Sequence, residues 1–283
     1  MKFYAEAQLD YVVNGEASIL TSIKCLSTPS QIITSESLMY SREVICEDLV
    51  VDSSFGRSTR VNVTEAGPLT LNYEAHVEIR PEFVEGASLA NPVLSTLPGD
   101  VLPFLYPSRY CQSDRLLHVA EDLTDPNSSA FDKASAIVAW INGHISYTIG
   151  SSGATDSAVD TLLNRAGVCR DFAHLAISLL RALSIPARYV TVYAHQLEPQ
   201  DFHACLEAYL GGRWCFFDPT HLSALNGVAR IARGRDAADV AVANLFGNVG
   251  SSNFRVNCFC EDPGFQPITQ QYLHETGQAI YYP

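Results

Sequence analysis

Apolar and polar positions alternate through the first third of the chain. Residues 60–66, "RVNVTEA", and residues 69–80, "LTLNYEAHVEIR", switch sides at each step, with Gly15, Gly56, Gly67 and Pro68 as punctuation. A period of two places successive side chains on opposite faces, so the pattern predicts strands. No helical period is sustained before residue 95. The reading is a β-sandwich-like region over residues 1–95. Residues 91–112 then carry four prolines, which suits an extended connector lying on the surface of the next unit.

From about residue 113 the period changes. "SDRLLHVAEDL" (113–123) reads as a short helix, and a second is expected over 130–145, with Ala134, Ile137, Val138, Ile141 and Ile145 on one face. "TDSAVDTLLNRAG" (155–167) suggests a third, capped by Thr155 or Asp156. The strongest pattern is "GVCRDFAHLAISLLRALSIPARYV" (167–190), where Phe172, Leu175, Ala176, Leu179, Leu180 and Leu183 form one stripe that Pro186 ends. Strand-like runs follow at 187–194, 203–210, 213–218 and 253–260. The expected class is α+β. The chain divides into a β-rich domain (1–95), a proline-rich connector (96–112) and a helix-and-sheet unit (113–283).

Composition narrows the function. The chain has 283 residues, 47% of them hydrophobic, which is enough for a sizeable core. Its net charge of −13, with no Lys/Arg cluster, argues against nucleic acid as a partner. "MKFYAEAQLDY" lacks the apolar run of a signal peptide, and no stretch is long enough for a membrane span. The expectation is a cytoplasmic protein with no membrane partner. Its eight cysteines are sparse and irregularly spaced, so reduced thiols are expected. In "CFC" (258–260) the two cysteines share one face of a strand, and no C-x-x-C pair accompanies them.

Two stretches carry chemistry. Gly211-Gly212 makes a two-residue hairpin turn inside "HACLEAYLGGRWCFFDPTH" (203–221). Counting outward, Leu210 faces Arg213, Tyr209 faces Trp214, Glu207 faces Phe216 and Cys205 faces Asp218. His203 and Asp218 then share a face, one diagonal step apart. Cys215 falls on the opposite face and reads as core, as do Trp214, Phe216 and Phe217. The other stretch sets Cys169 at the first turn of the strongest helix. There the helix dipole favours thiolate, and free backbone N–H groups can hold an oxyanion. A thiol, an imidazole and a carboxylate are the parts of a nucleophile, its base and the group that orients the base.

These residues resemble the transglutaminase-like superfamily. "GVCRDFAHL" followed by "FHACLEAYLGGRWCFFDPT" gives its order Cys, His, Asp, at spacings of 34 and then 15 residues. "LPFLYPSRYCQSDRL" and "GRDAADVA" (234–241) are similar to flanking segments of bacterial members. The resemblance implies a papain/transglutaminase-like core of helices packed on an antiparallel sheet behind a β-rich N-terminal region. It implies Cys169 as nucleophile, His203 as base and Asp218 as orienter. Reaction would pass through an acyl-thioester on a peptide or protein amide, with no cofactor and no metal. Water completing the reaction makes a cysteine protease, peptidase or amidase; a primary amine makes a transglutaminase. Bacterial relatives often have Asn after "DPT", where this chain has His221, and a calcium requirement does not carry over.

Other assignments complete the expectation. Tyr147 and Asn164 are candidate oxyanion donors, and Cys205 a candidate cleft residue whose simpler role is packing. Arg170 and Asp171 read as a helix-start pair, Arg235 and Asp236 as a local pair in a turn bordering the cleft. His174 lies about 140° round the helix from Cys169 and should not serve it. His118, His144, His195 and His274 read as surface or structural. A metal site on His203, Cys205 and Cys260 is one rival; a non-catalytic binding module is another. The tail "ITQQYLHETGQAIYYP" reads as a loose end or a contact between copies of a homo-oligomer.

Overall fold

The computed structural model describes residues 1–49 and 55–283. In chain order, the N-terminal half contributes β1 (Lys2–Thr21), β2 (Gln31–Tyr40), β3 (Ile45–Leu49), β4 (Ser58–Val63), β5 (Gly67–Ile79) and β6 (Glu82–Glu85). Then come α1 (Leu117–Asp122), α2 (Ala130–His144), β7 (Ser146–Tyr147), α3 (Ala158–Asn164), β8 (Ala166–Gly167) and α4 (Cys169–Ala182). The remainder is β9 (Ala187–Ala194), β10 (Phe202–Leu210), β11 (Arg213–Phe217), β12 (Val228–Gly234), β13 (Ala243–Cys260), α5 (Gln270–Thr276) and β14 (Gln278–Tyr281).

The alternation in β1 does what its period requires. Phe3, Ala5, Ala7, Leu9, Tyr11 and Val13 are buried, while their neighbours are not. Along one edge β1 pairs with β5 and then β4; along the other it pairs with β13, from Phe3↔Cys260 to Thr21↔Ala243. The region read as sandwich-like is thus one six-stranded sheet, bent by bulges at Asp10/Tyr11 and Val13/Ala17. Strand β13, expected only over 253–260, starts ten residues earlier.

The second sheet runs β12-β9-β10-β11-β14-β6. Helix α4 packs on β9 and β10, with α2 and α3 beside it. Phe172, Leu175, Ala176, Leu179 and Leu180 are all buried, as the stripe predicts. The connector holds short 3₁₀ turns at Leu94–Thr96 and Leu102–Leu105 and buries Val101, Phe104 and Cys111. The tail is held by the rest of the chain, since β14 is a strand of the second sheet, where Tyr281 pairs with Cys215, and α5 packs against it. Helix α3 is capped at Ser157, and the Asp156 carboxylate turns back to accept from Gly153 N–H.

A buried ionic cluster joins the two sheets. Glu207 accepts from Arg188 at 2.6 Å and from Arg230 at 3.3 Å. Arg230 also donates to Ser30 and Thr28 of the N-terminal half, and its backbone exchanges two 2.7 Å bonds with the Gln31 carboxamide. A buried charge is tolerable when paired in this way.

Candidate active site

Gly211 and Gly212 both adopt positive φ, 56° and 78°, as a two-residue hairpin turn demands. The register is the one read from the turn: Leu210↔Arg213, Tyr209↔Trp214 and Glu207↔Phe216. His203 Nε2 consequently lies 3.0 Å from Asp218 Oδ2, both residues buried. Because a carboxylate only accepts, Nε2 carries the proton. Nδ1, the other ring nitrogen, is buried without a hydrogen-bond partner.

Asp218 is held from several sides. Oδ2 also accepts from Ser223 N–H (3.0 Å) and Oγ–H (2.7 Å), and Oδ1 from Thr220 N–H (2.9 Å) and Oγ1–H (2.7 Å). Its own N–H donates to Gln270 Oε1 at 3.0 Å. Burial by itself would raise this carboxyl; the His203 charge and these hydrogen bonds hold it well below the usual range. For the ring, burial opposes the charged form, but the Asp218 charge, with the nearby Cys205 thiol and the Asp218 hydrogen bond, outweighs it and raises His203 well above its ordinary value.

Cys169 is the first residue of α4 and half-buried, its sulfur 4.0 Å from Phe202 O. Asp171 builds this helix start. It is buried and accepts from Val168 N–H at 2.9 Å, from Ser152 Oγ–H, and from Arg170 at 2.9 Å and 3.2 Å. Arg170 donates onward to Gly153 O at 2.6 Å, so the pair read as a simple cap also ties the 152–153 loop to the helix. Gly167 is required by close approach, because a Cβ there would lie 2.7 Å from Asp171 Cβ.

The oxyanion candidates separate. Tyr147 pairs with Gly167 across β7 and β8, and its ring packs on Phe172. Burial first, and then the neighbouring Cys169 thiol, pushes its phenol up to about 12. Asn164 is exposed at the last turn of α3 and does not line the cleft; the left-handed Arg165 ends the helix beside it. Cys205 is fully buried beside the ring and carboxylate, where desolvation pushes its thiol up to about 12. Ligand atoms of His203, Cys205 and Asp218 lie within 4.8 Å of one another, close enough to share one metal ion. The Asp218 oxygens there already accept five hydrogen bonds. Cys260 is not part of that group. It ends β13 opposite Phe3, and its sulfur meets Lys2 O and Asp262 O.

The remaining histidines fall elsewhere. His174 is buried and pushed down to about 3, chiefly by desolvation. It stacks on Tyr110 and accepts from Ala237 N–H at 3.1 Å, bracing two cleft residues. His195 accepts from Cys260 N–H, and His118 and His144 are exposed. His221 has φ 58°, a left-handed conformation in which His, like Asn, is enriched. It faces a separate cavity of about 270 Å³ with His274, Asn142 and Gln270. In the turn at 234–241, Arg235 pairs with Asp239 at 2.9 Å rather than with Asp236, which accepts from Tyr110 N–H and Ala238 N–H. Sequence reasoning missed Thr220, Ser223 and Gln270. A Thr two residues after Asp is a turn signal that reveals the first; nothing local reveals Gln270.

Cys169 and His203 open onto a cleft of about 370 Å³ walled by Tyr110, Tyr189, Phe202 and the 237–243 segment. The profile of the transglutaminase-like superfamily core matches residues 117–219, and that of the bacterial transglutaminase N-terminal domain matches residues 1–97. A solved structure of a proposed cysteine protease from Cytophaga hutchinsonii is 42% identical, with a TM-score of 0.96, covering 100% of this chain and 98% of that one. The chain belongs to the transglutaminase-like superfamily. Uncharacterized proteins of Mycobacterium leprae (33% identical over 132 residues) and Mycobacterium tuberculosis (35% over 109) are also similar. Those alignments span 43% and 33% of this chain and 47% and 35% of the relatives, so the chain spans about half or less of the curated relatives it matches. Membership of this superfamily and the likeness to the Cytophaga protein support an enzyme. Among the described residues no helix is long and apolar enough to cross a membrane.

Proposed function

We propose that the chain is a cysteine-dependent hydrolase of peptide or protein amides. The observation that carries this is the His203 ring: Nε2 is committed to Asp218 at 3.0 Å, while Nδ1, without a partner, is left for the Cys169 thiol. Cys169 gives its proton to Nδ1 and its sulfur attacks the amide carbonyl, forming a C–S bond. The tetrahedral oxyanion meets the backbone N–H groups at the start of α4 and the Tyr147 phenol. The C–N bond breaks as His203 returns the proton to the leaving amine. Water, deprotonated by the same nitrogen, then cleaves the thioester, releases the acid and restores the thiol. Asp218 keeps the ring in its tautomer and offsets the imidazolium charge. The eight free cysteines support a reducing, cytoplasmic compartment, which fractionation of expressing cells tests.

Intact-mass measurement after iodoacetamide across pH tests the reading. One adduct forms at Cys169 well below pH 8, while Cys169→Ala stays unlabelled under the same conditions. Equal labelling of the two proteins removes the enzyme. Turnover of amide libraries with and without added primary amine then separates hydrolysis from amine transfer.

A further inference from the structure

Between the rings of Tyr110, Tyr189 and Phe202, the cleft next to Cys169 is lined by small aliphatic side chains, Ala154, Ala204, Ala237, Val240 and Ala241 among them. In a chain with 31 acidic residues, no carboxylate lines it among the described residues. The guanidinium at its rim, Arg170, is already held by Asp171 and Gly153 O. Besides His203 Nδ1, one polar group of this lining is buried and unpaired. Thr191, on β9 opposite Ala204, is 4% exposed, and its hydroxyl is buried with no hydrogen-bond partner.

An orphaned hydroxyl costs free energy that a valine of the same shape avoids, so its presence on a cleft floor calls for a partner that arrives with the ligand. We infer that this cleft is the subsite for the acyl residue of the substrate, and that Thr191 selects an uncharged side chain bearing a hydrogen-bonding group. Alanines supply the room, and among the described residues no free counter-charge lines the cleft, which disfavours cationic and anionic side chains that would be desolvated without a partner. The inference rests on the proposed amide chemistry at Cys169 and adds the substrate class.

Isosteric probes isolate the hydroxyl. Acetyl-glycyl chloromethyl ketones whose second residue is Thr, Val, Asn or Leu alkylate a cysteine as the C–S bond forms and chloride leaves. Their rates at Cys169 are read by intact mass. In the unaltered protein Thr should react about tenfold faster than Val, and Asn faster than Leu by a similar factor, the yield of one neutral hydrogen bond. Thr191→Val should erase both ratios, and Thr191→Ser should keep them. Val reacting as fast as Thr, or ratios that survive Thr191→Val, overturn the subsite while leaving the thiol chemistry standing. No adduct at Cys169 with any of the four overturns the proposed hydrolase and this inference with it.

Discussion

Asp218 is the most heavily held side chain of the site, and what holds it explains its behaviour. A buried carboxylate survives only because His203, Thr220 and Ser223 supply five donors. Asp218→Asn turns an acceptor into a donor facing donors. We expect a loss of about 3–5 kcal/mol in urea denaturation at pH 7 and a fall in amide turnover of about a hundredfold or more. The pH dependence has a definite sign. The His203 pKa is raised, so its contribution is complete below the unfolded value of about 6.5 and fades as pH climbs through the raised one. The Asp218 pKa is lowered, so its contribution is present above about 4 and fades only in acid. The stability gap between the native protein and Asp218→Asn should therefore narrow as the pH is raised into the alkaline range, and again below about pH 4. A gap constant across that range contradicts the ion pair. His203 and Asp218 were legible in the sequence because a two-residue turn and the pleat fix their relation. Gln270 was not, because it arrives from a helix 52 residues away in sequence.

At the scale of elements, α4 was the plainest reading, since one apolar stripe and Pro186 define it from local residues alone. Its first turn depends on a contact the stripe does not show, Gly167 against Asp171. Gly167→Ala should push the carboxylate off Val168 N–H and loosen the link to Ser152. A loss of about 1–3 kcal/mol by thermal or urea denaturation is expected, together with slower iodoacetamide labelling of Cys169. Unchanged values on both counts would show that the helix start does not depend on this cap. Strand β13 was only half legible. Alternation reports that a segment is a strand but not which sheet it joins, and 243–252, rich in Gly, Asn and Ser, carries little alternation at all.

For the whole molecule, the sheets are joined by polar groups that composition could not pair. Glu207 lies between Arg188 and Arg230, and Arg230 reaches across to Ser30, Thr28 and Gln31. Glu207→Ala leaves two buried guanidinium groups short of their counter-charge. A loss of about 3–5 kcal/mol is expected in equilibrium denaturation, against well under 1 kcal/mol for the exposed Arg80→Ala, whose surface pair with Glu78 serves as the control. Equal effects of the two changes would mean that the buried cluster contributes no more than a surface pair.

The pairing of β1 with β13 also reaches into the birth of the chain. Residues 3–21 leave the ribosome well before residues 243–260, the strand that covers their second edge. At translation rates of about 5–20 residues per second, that edge stays open for on the order of tens of seconds. Throughout that interval the nascent polypeptide offers a long, unpaired template to its neighbours on the polysome. Yield from a cell should therefore respond to chaperone supply and growth temperature, with the sheet closing only when residues 243–260 emerge.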